Sequence, residues 1–366
     1  MSFSGCKHIV FICSSLNMPG GIERAIVNTA NLFNSKGQNV TLVILDQTAQ
    51  SFYPINPSIK IENRHLHFGI GEEGNIISRK IRFIQHIGAL RNILKSVEAD
   101  VIITTEYVFT IAAQLALPKS KIFSCEHHHF HHLKRNRFWQ TLYNRTYPKL
   151  ERVICLNRSE EKYYSKLGCS TSVIPNFVAP ALLSERNENS KTLLTVGWLT
   201  HIKGTDLVPK IAALIFAKHP DWRWRVIGKG IEKESLINEI RQNGLSQNVQ
   251  IIEPVSPNME HEYNNAALYV MTSKFECFPM VLLEAMSHGL PVVAFDCPTG
   301  PAHIINSGED GILTEAENVV AIATAVIELI EHEQKRKTMG ANARKNIQRF
   351  SPEAIYTLWE RTLGIG

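Results

Sequence analysis

Short apolar runs along this chain alternate with stretches whose apolar residues recur every three to four positions. His8 to Cys13, Thr41 to Leu45, Val101 to Thr104, Lys121 to Cys125 and Val153 to Leu156 are runs of this kind, too short for helices. They read as strands covered on both faces. The rhythm resumes with Thr192 to Val196, Trp224 to Ile227, Gln250 to Ile252, Leu268 to Met271 and Pro291 to Phe295. Strands spaced by helical segments build parallel sheets. Between the two series lies a polar stretch, Arg186 to Lys191, rich in Asn, Ser and charge. It reads as a linker. The pattern predicts an α/β protein with two doubly wound domains, 1–185 and 186–347. Residues 348–366 are expected to carry a closing helix, Phe350 to Leu363, with Trp359 on its apolar face, packing back across to the first domain. Ligands of such sheets bind beyond the carboxyl ends of the strands, so the cleft between the domains is the expected site.

A length of 366 residues suits two cores of ordinary size, and 44% apolar with 20% charged residues is a globular composition. No apolar run approaches the roughly 18 residues needed to cross a bilayer, and Ile9 to Cys13 is too short for a signal-peptide core. The expected location is therefore the cytoplasm. The seven cysteines form no Cys-x-x-Cys pair. They read as small core residues of a reducing compartment. Charge is uneven: residues 1–185 hold 21 Lys+Arg against 13 Asp+Glu, while the remainder nets −3. No Lys/Arg run tracks a phosphate backbone, but charge alone does not separate nucleic acid from an anionic membrane surface; no nucleic acid partner is expected.

The densest chemistry lies in Lys274-Phe-Glu-Cys-Phe-Pro-Met-Val-Leu-Leu-Glu284-Ala-Met-Ser-His-Gly289. Pro279 suits the first turn of a helix and Gly289 its end. Glu276 then precedes the helix and Glu284 sits within it. The free amides of Phe278, Met280 and Val281, around Pro279 which has none, would face a bound anion. Taken alone, the two carboxylates could as well be a helix cap and a solvated residue. Asn17-Met-Pro-Gly-Gly21 follows the first strand and opens a helix near Ile22, and Gly20 and Gly21 let backbone approach a ligand closely. Ser124-Cys-Glu-His127-His-His-Phe-His-His132 follows another strand. It admits a His-rich loop, or a metal site on the i, i+4 pairs His127/His131 and His128/His132. Leu133 to Arg145 mixes basic and aromatic residues, as does Arg79-Lys-Ile-Arg82 in part. That composition fits a peripheral membrane contact or a solvated face over core aromatics. Gly228-Lys-Gly230 lacks the third small residue of a dinucleotide fingerprint, where Lys233 stands.

The Glu276/Glu284 segment resembles the Glu-x7-Glu signature of the retaining glycosyltransferases of family four. The likeness continues through Val196-Gly-Trp-Leu-Thr-His-Ile-Lys-Gly204, Val226-Ile-Gly-Lys-Gly230, Val173-Ile-Pro-Asn176, Gly289-Leu-Pro-Val-Val-Ala294 and Gly308-Glu-Asp-Gly311, over nearly the whole chain. The resemblance implies the GT-B fold, two Rossmann-like domains facing each other across a cleft. It also implies transfer of a hexose or N-acetylhexosamine, with retention, from a nucleotide diphosphate sugar. UDP is favoured by the loop Cys297-Pro-Thr-Gly-Pro301, which looks like that of members using UDP-sugars. The implied acceptor is a hydroxyl of a glycan or of a polyprenyl- or other lipid-linked glycan, in bacterial surface polysaccharide or glycoconjugate synthesis. The implied location is cytoplasmic or peripheral on the inner face of the plasma membrane.

By the same resemblance Glu276 faces the donor sugar, Glu284 holds the ribose and Lys203 holds the diphosphate. The Gly20–Gly21 loop closes over the phosphates, and His127 stands beside the reacting centre. No metal or other cofactor is expected, which agrees with the lack of any Asp-x-Asp pair among six Asp residues. Two positions depart from the family: Trp198 replaces a frequent second diphosphate cation, for which Arg24 or Lys229 could substitute, and Cys277 replaces a frequent glycine. The alternatives are a nucleotide-sugar epimerase of the same architecture and a non-catalytic sugar-nucleotide sensor or metal-binding module.

Overall fold

A computed structural model describes residues 7–46, 48–66, 68, 76–127, 130, 135–179, 181, 186–254 and 258–365, with only the backbone of 76–80. The chain divides into two compact units, 1–175 with 355–366, and 176–354.

The first unit is built on seven strands: β1 (His8–Cys13), β2 (Asn39–Ile44), β3 (Lys60–Asn63), β4 (Val101–Thr104), β5 (Ile122–Glu126), β6 (Arg152–Cys155) and β7 (Thr171–Val173). They run in the order β3-β2-β1-β4-β5-β6-β7, parallel at every pairing. The second unit holds β8 (Thr192–Val196), β9 (Arg223–Ile227), β10 (Val249–Ile252), β11 (Leu268–Met271), β12 (Val292–Phe295) and β13 (Gly311–Thr314), in the order β10-β9-β8-β11-β12-β13. These too are parallel throughout. In each sheet the direction of strand addition reverses once, between β1 and β4 and between β8 and β11, and such a switch point opens a crevice at the strands' carboxyl ends.

Central strands carry the apolar runs because both faces are covered: β4, β11 and β12 are buried along their whole length. Helices Val208–Phe216 and Val319–Glu331 contribute Ile211, Ile215, Val326 and Leu329 to the core of the second unit, beside Trp224 and Phe295. The break between units falls at 175/176, earlier than the polar stretch 186–191 suggests. Phe177 and Val178 are buried, and the Val178 amide donates to the Phe350 carbonyl, which ties this segment into the second unit. The last helix, Pro352–Leu363, lies with the first unit, where Tyr356 and Trp359 pack edge-on against Phe33 of helix Gly21–Ser35.

Candidate active site

The second unit carries a polar cluster at the carboxyl ends of β8 and β11, the two strands beside its switch point. After β8 the chain passes through the single 3-10 turn His201–Lys203 to Gly204, whose φ is 66°. A side chain there would collide with the Thr272 carbonyl, so glycine serves both the left-handed backbone and the close approach of two loops. Thr272 Oγ1 donates to the Lys203 carbonyl at 2.9 Å, and the Lys274 amide donates to the Ile202 carbonyl at 2.9 Å. These bonds hold Lys203 over the end of β11. Its ammonium donates to Glu276 Oε1 at 2.6 Å, and Ser273 Oγ donates to the same oxygen at 2.7 Å. The lysine side chain is 33% exposed and that of Glu276 10%.

Glu276 is fixed from the backbone side by a bridge to Thr299, whose Oγ1 donates to the Glu276 carbonyl at 3.2 Å. Thr299 has φ 73°. A β-branched residue in that region is strained, and such strain persists only where neighbours over-determine it, commonly at functional sites. Nearby, burial and then the Glu276 carboxylate push the Cys297 thiol up to about 12.

The helix that follows spans Met280–Ser287, with Pro279 as its extended N-cap and no side-chain cap. Pro279 thus precedes the first turn instead of lying within it; its missing N–H is no loss there. The Leu282 amide donates to the Pro279 carbonyl at 3.2 Å, whereas the Met280 and Val281 amides have no preceding turn to bond to and point out of the helix start. Gly289, at φ 71°, ends the helix, with its amide on the Met286 carbonyl and that of Leu290 on the Ala285 carbonyl. Glu284 lies inside this helix, 5% exposed, and its Oε2 accepts from the Tyr263 hydroxyl at 2.7 Å.

Trp198 stands in the loop after β8, and the Lys229 ammonium lies 5.4 Å from its ring centroid. The loops bearing them are close: a side chain at Gly228 would strike the Gly197 carbonyl.

Gly20, Gly21 and His127 belong to the first unit. Gly20 is the extended N-cap of helix Gly21–Ser35, which has no side-chain cap. Burial, with a contribution from the Glu106 carboxylate, holds Glu23 in its first turn above the usual carboxylate range. Glu106 itself, just past β4, accepts from Ser14 Oγ just past β1, at 2.5 Å. Arg24 lies 5.6 Å from the Tyr53 ring centroid. His127 directly follows β5 and is half-buried. His128, His129, His131 and His132, with Leu133 and Lys134, lie outside the described residues; among the described residues no group of His, Cys, Asp and Glu could hold a metal ion. Of the basic and aromatic stretch, Trp139 and Tyr143 enter the core, against Phe83 and Tyr147, while Phe138 is exposed.

The structure therefore places Lys203 and Glu276 in contact, with the helix start at Phe278–Val281 and Glu284 on the same segment. Two partners escaped the sequence reading. Ser273 sits three residues before Glu276 and was open to inspection, but Tyr263 lies 21 residues from Glu284 with no periodicity to link them.

Two six- and seven-stranded parallel sheets, each covered by helices and each with one switch point, define the α/β architecture of the GT-B glycosyltransferases. Residues 19–182 match the profile of glycosyltransferase family 4 and residues 184–346 that of the glycosyl transferases group 1; the chain belongs to this family and is a glycosyltransferase. It is 26% identical to an uncharacterized glycosyltransferase of Haemophilus influenzae, over 98% of this chain and 100% of that one. To the amylovoran biosynthesis glycosyltransferase AmsD of Erwinia amylovora it is 24% identical, over 97% and 99%. A Campylobacter jejuni enzyme is 25% identical over 96% of each chain; its name is GalNAc-alpha-(1->4)-GalNAc-alpha-(1->3)-diNAcBac-PP-undecaprenol alpha-1,4-N-acetyl-D-galactosaminyltransferase. Among solved structures, TarM of S. aureus with fondaparinux, alpha-GlcNAc-glycerol and UDP superposes at TM-score 0.80 with 14% identity, covering 98% of this chain and 99% of that one. HepE of Anabaena with UDP superposes at 0.79 with 18% identity and the same coverage.

Proposed function

We propose that this enzyme transfers a hexose or N-acetylhexosamine from a UDP-sugar, with retention and without a metal, to a hydroxyl of a glycan or polyprenyl diphosphate-linked glycan. The observation that carries the reading is the Lys203–Glu276–Ser273 constellation beside an uncapped helix start. As the glycosidic bond breaks, the leaving diphosphate gathers negative charge; the Lys203 ammonium and the amides at Phe278, Met280 and Val281 meet it there. Without donor, Lys203 is held by Glu276. A diphosphate arriving at Lys203 takes over that ammonium and leaves Glu276 oriented by Ser273 toward the sugar. Glu276 then positions the sugar's hydroxyls and stabilises positive charge at the anomeric carbon. The acceptor hydroxyl attacks from the face the leaving group vacates, a phosphate oxygen of that group takes its proton, and no enzyme nucleophile is required. Glu284 holds the ribose.

The UDP assignment is supported by TarM and HepE, whose structures hold UDP. The polyprenyl-linked acceptor is supported by the name of the Campylobacter jejuni relative. Lys229, standing over Trp198, supplies the second cation that Trp198 replaces. Among the described residues no helix is long and apolar enough to cross a membrane. A peripheral contact with an anionic membrane, as at the inner face of the plasma membrane, is supported by Ile81, Ile84 and Phe138, which are 52%, 68% and 43% exposed. Exposed Arg91, Lys95, Arg137 and Arg145 lie on the same two helices.

The test is release of nucleoside diphosphate from a panel of UDP- and GDP-sugars in EDTA, comparing the parent with Lys203→Ala and Glu276→Ala. Turnover of one donor despite EDTA, with both variants strongly slowed, sustains the proposal. Activity that needs metal and ignores Glu276 sinks it, and interconversion of the donor without acceptor makes the protein an epimerase instead.

A further inference from the structure

A carboxylate inside a helix has two oxygens in one plane, and the terminal torsion that orients that plane is broad and two-fold when nothing holds it. Glu284 is held. The Tyr263 hydroxyl donates to its Oε2 at 2.7 Å, with both groups buried. Tyr263 in turn cannot swing away: its ring is stacked on His288, at 5.1 Å between centroids and 17° between planes, and lies 6.3 Å from Tyr269 at 30°. His288 Nδ1 is 2.8 Å from Asn264 Oδ1, on the residue after Tyr263, and the Tyr269 hydroxyl both accepts from the Val196 amide and donates to the Val196 carbonyl. The chain of contacts thus runs from the end of β8 through two tyrosines to one oxygen of Glu284. Core packing alone would be met by phenylalanine at 263; the hydroxyl is spent on the carboxylate.

We infer that Tyr263 is a positioning residue for nucleotide recognition, fixing the Glu284 carboxylate plane so that it meets the vicinal hydroxyls of a ribose. This rests on the reading that Glu284 faces the ribose. A pre-set carboxylate loses no torsional freedom when the diol binds, whereas an unpinned one must be ordered by the ligand. The hydroxyl of Tyr263 therefore acts on affinity for the ribose and not on the chemical step.

The experiment compares UDP with 2′,3′-dideoxy-UDP by calorimetry, in the parent, Glu284→Ala, Tyr263→Phe and the double variant, with donor KM and kcat alongside. The parent is expected to prefer UDP by roughly tenfold or more, and Glu284→Ala to abolish that preference. Tyr263→Phe should weaken UDP by roughly three- to tenfold, leave the dideoxy nucleotide unchanged, and raise donor KM at constant kcat. In the Glu284→Ala background the Tyr263 change should cost nothing more; that comparison stands even where the single variant folds poorly, because the buried carboxylate is gone. Equal weakening of both nucleotides, or a further loss in the double variant, overturns the positioning role while leaving Glu284 on the ribose. A parent that does not distinguish the two nucleotides removes Glu284 from the ribose and takes this inference with it.

Discussion

The two sheets have the same topology around their switch points, yet the buried carboxylates nearest those points have different partners. In the first unit Glu126, 3% exposed at the end of β5, accepts from Tyr147 and Ser124, each at 2.6 Å. Ser124 lies within 2.9 Å of the Thr110 hydroxyl, and Thr110 within 2.7 Å of that of Thr104, so the network runs across β4 and β5 into the core. Glu160, fully buried, accepts the Phe130 amide at 2.9 Å. In the second unit Glu276 stands just past a strand end on a lysine and Glu284 inside the following helix on a tyrosine, while Asp310, 1% exposed, is a scaffold carboxylate that accepts from the Asn306 amide at 2.8 Å and from the Asn346 side chain. The first unit uses buried charge to knit β-strands and aromatic helices together; the second also uses it as scaffold at Asp310 but sets Glu276 against a partly exposed ammonium, a pairing that a charged ligand would displace under the proposed function. A buried carboxylate is therefore not by itself a functional signal; what its partner could do for a ligand is.

The sharpest way to break this comparison is to neutralise a carboxylate in each unit. Glu276→Gln is expected to lower kcat by about 10²- to 10³-fold, since it removes charge needed at the anomeric carbon. UDP affinity should hold or rise, because Lys203 no longer has a carboxylate competing with the diphosphate; stopped-flow turnover and calorimetry on one preparation read both. A drop in UDP affinity that matches the drop in kcat contradicts the displacement of Glu276 by the diphosphate. In the first unit, Glu126→Ala is expected to cost about 2–4 kcal/mol of stability by leaving Tyr147 and Ser124 without their acceptor. Urea denaturation measures it, and kcat per folded molecule should stay within about threefold of the parent. A selective loss of kcat would move Glu126 from scaffold to chemistry.

A weaker contrast concerns the outer surfaces. Ile84→Asp with Phe138→Asp is expected to reduce sedimentation with phosphatidylglycerol vesicles by roughly tenfold, with turnover on a water-soluble acceptor unchanged. If the double variant and the parent sediment alike, this face does not meet the membrane.

How much of this was legible in the sequence follows from what each element buries. Central strands announce themselves as apolar runs: β1, β4, β8 and β11 have the bounds the runs gave, and the others shift by a residue or two where a polar residue such as Arg152, Glu126 or Arg223 continues the ladder. The strands with no run to show are the edges. β3 is exposed or half-buried at all four positions, and β7 is short and half-buried. β13, likewise at an edge, surfaced only as a Gly-Glu-Asp-Gly motif. The placing of Glu276 before its helix and Glu284 within it was readable from Pro279 and Gly289. The Lys203–Glu276 pair was not, because 73 residues separate its members and only the adjacency of β8 and β11 brings them together.

The smallest effect is also the most specific to this chain. The resemblance puts Trp198 where a diphosphate cation is frequent, and the Lys229 ammonium stands over its ring at 5.4 Å, within cation–π range. Both residues are half-buried, and a pairing of that kind contributes at least about 0.5–1 kcal/mol. Trp198→Ala, which frees Lys229 from the ring, is therefore expected to raise donor KM by roughly two- to fivefold at constant kcat. Lys229→Met should do the same or slightly more, and combining the two should add little, since both remove one held cation. Trp198→Arg would place a cation directly where the ring was, and KM should return to within about twofold of the parent. Additive losses in the double variant, or no rescue by arginine, would mean that Trp198 packs the loop after β8 without presenting Lys229 to the donor, and that Lys203 and the helix start hold the diphosphate without a second cation.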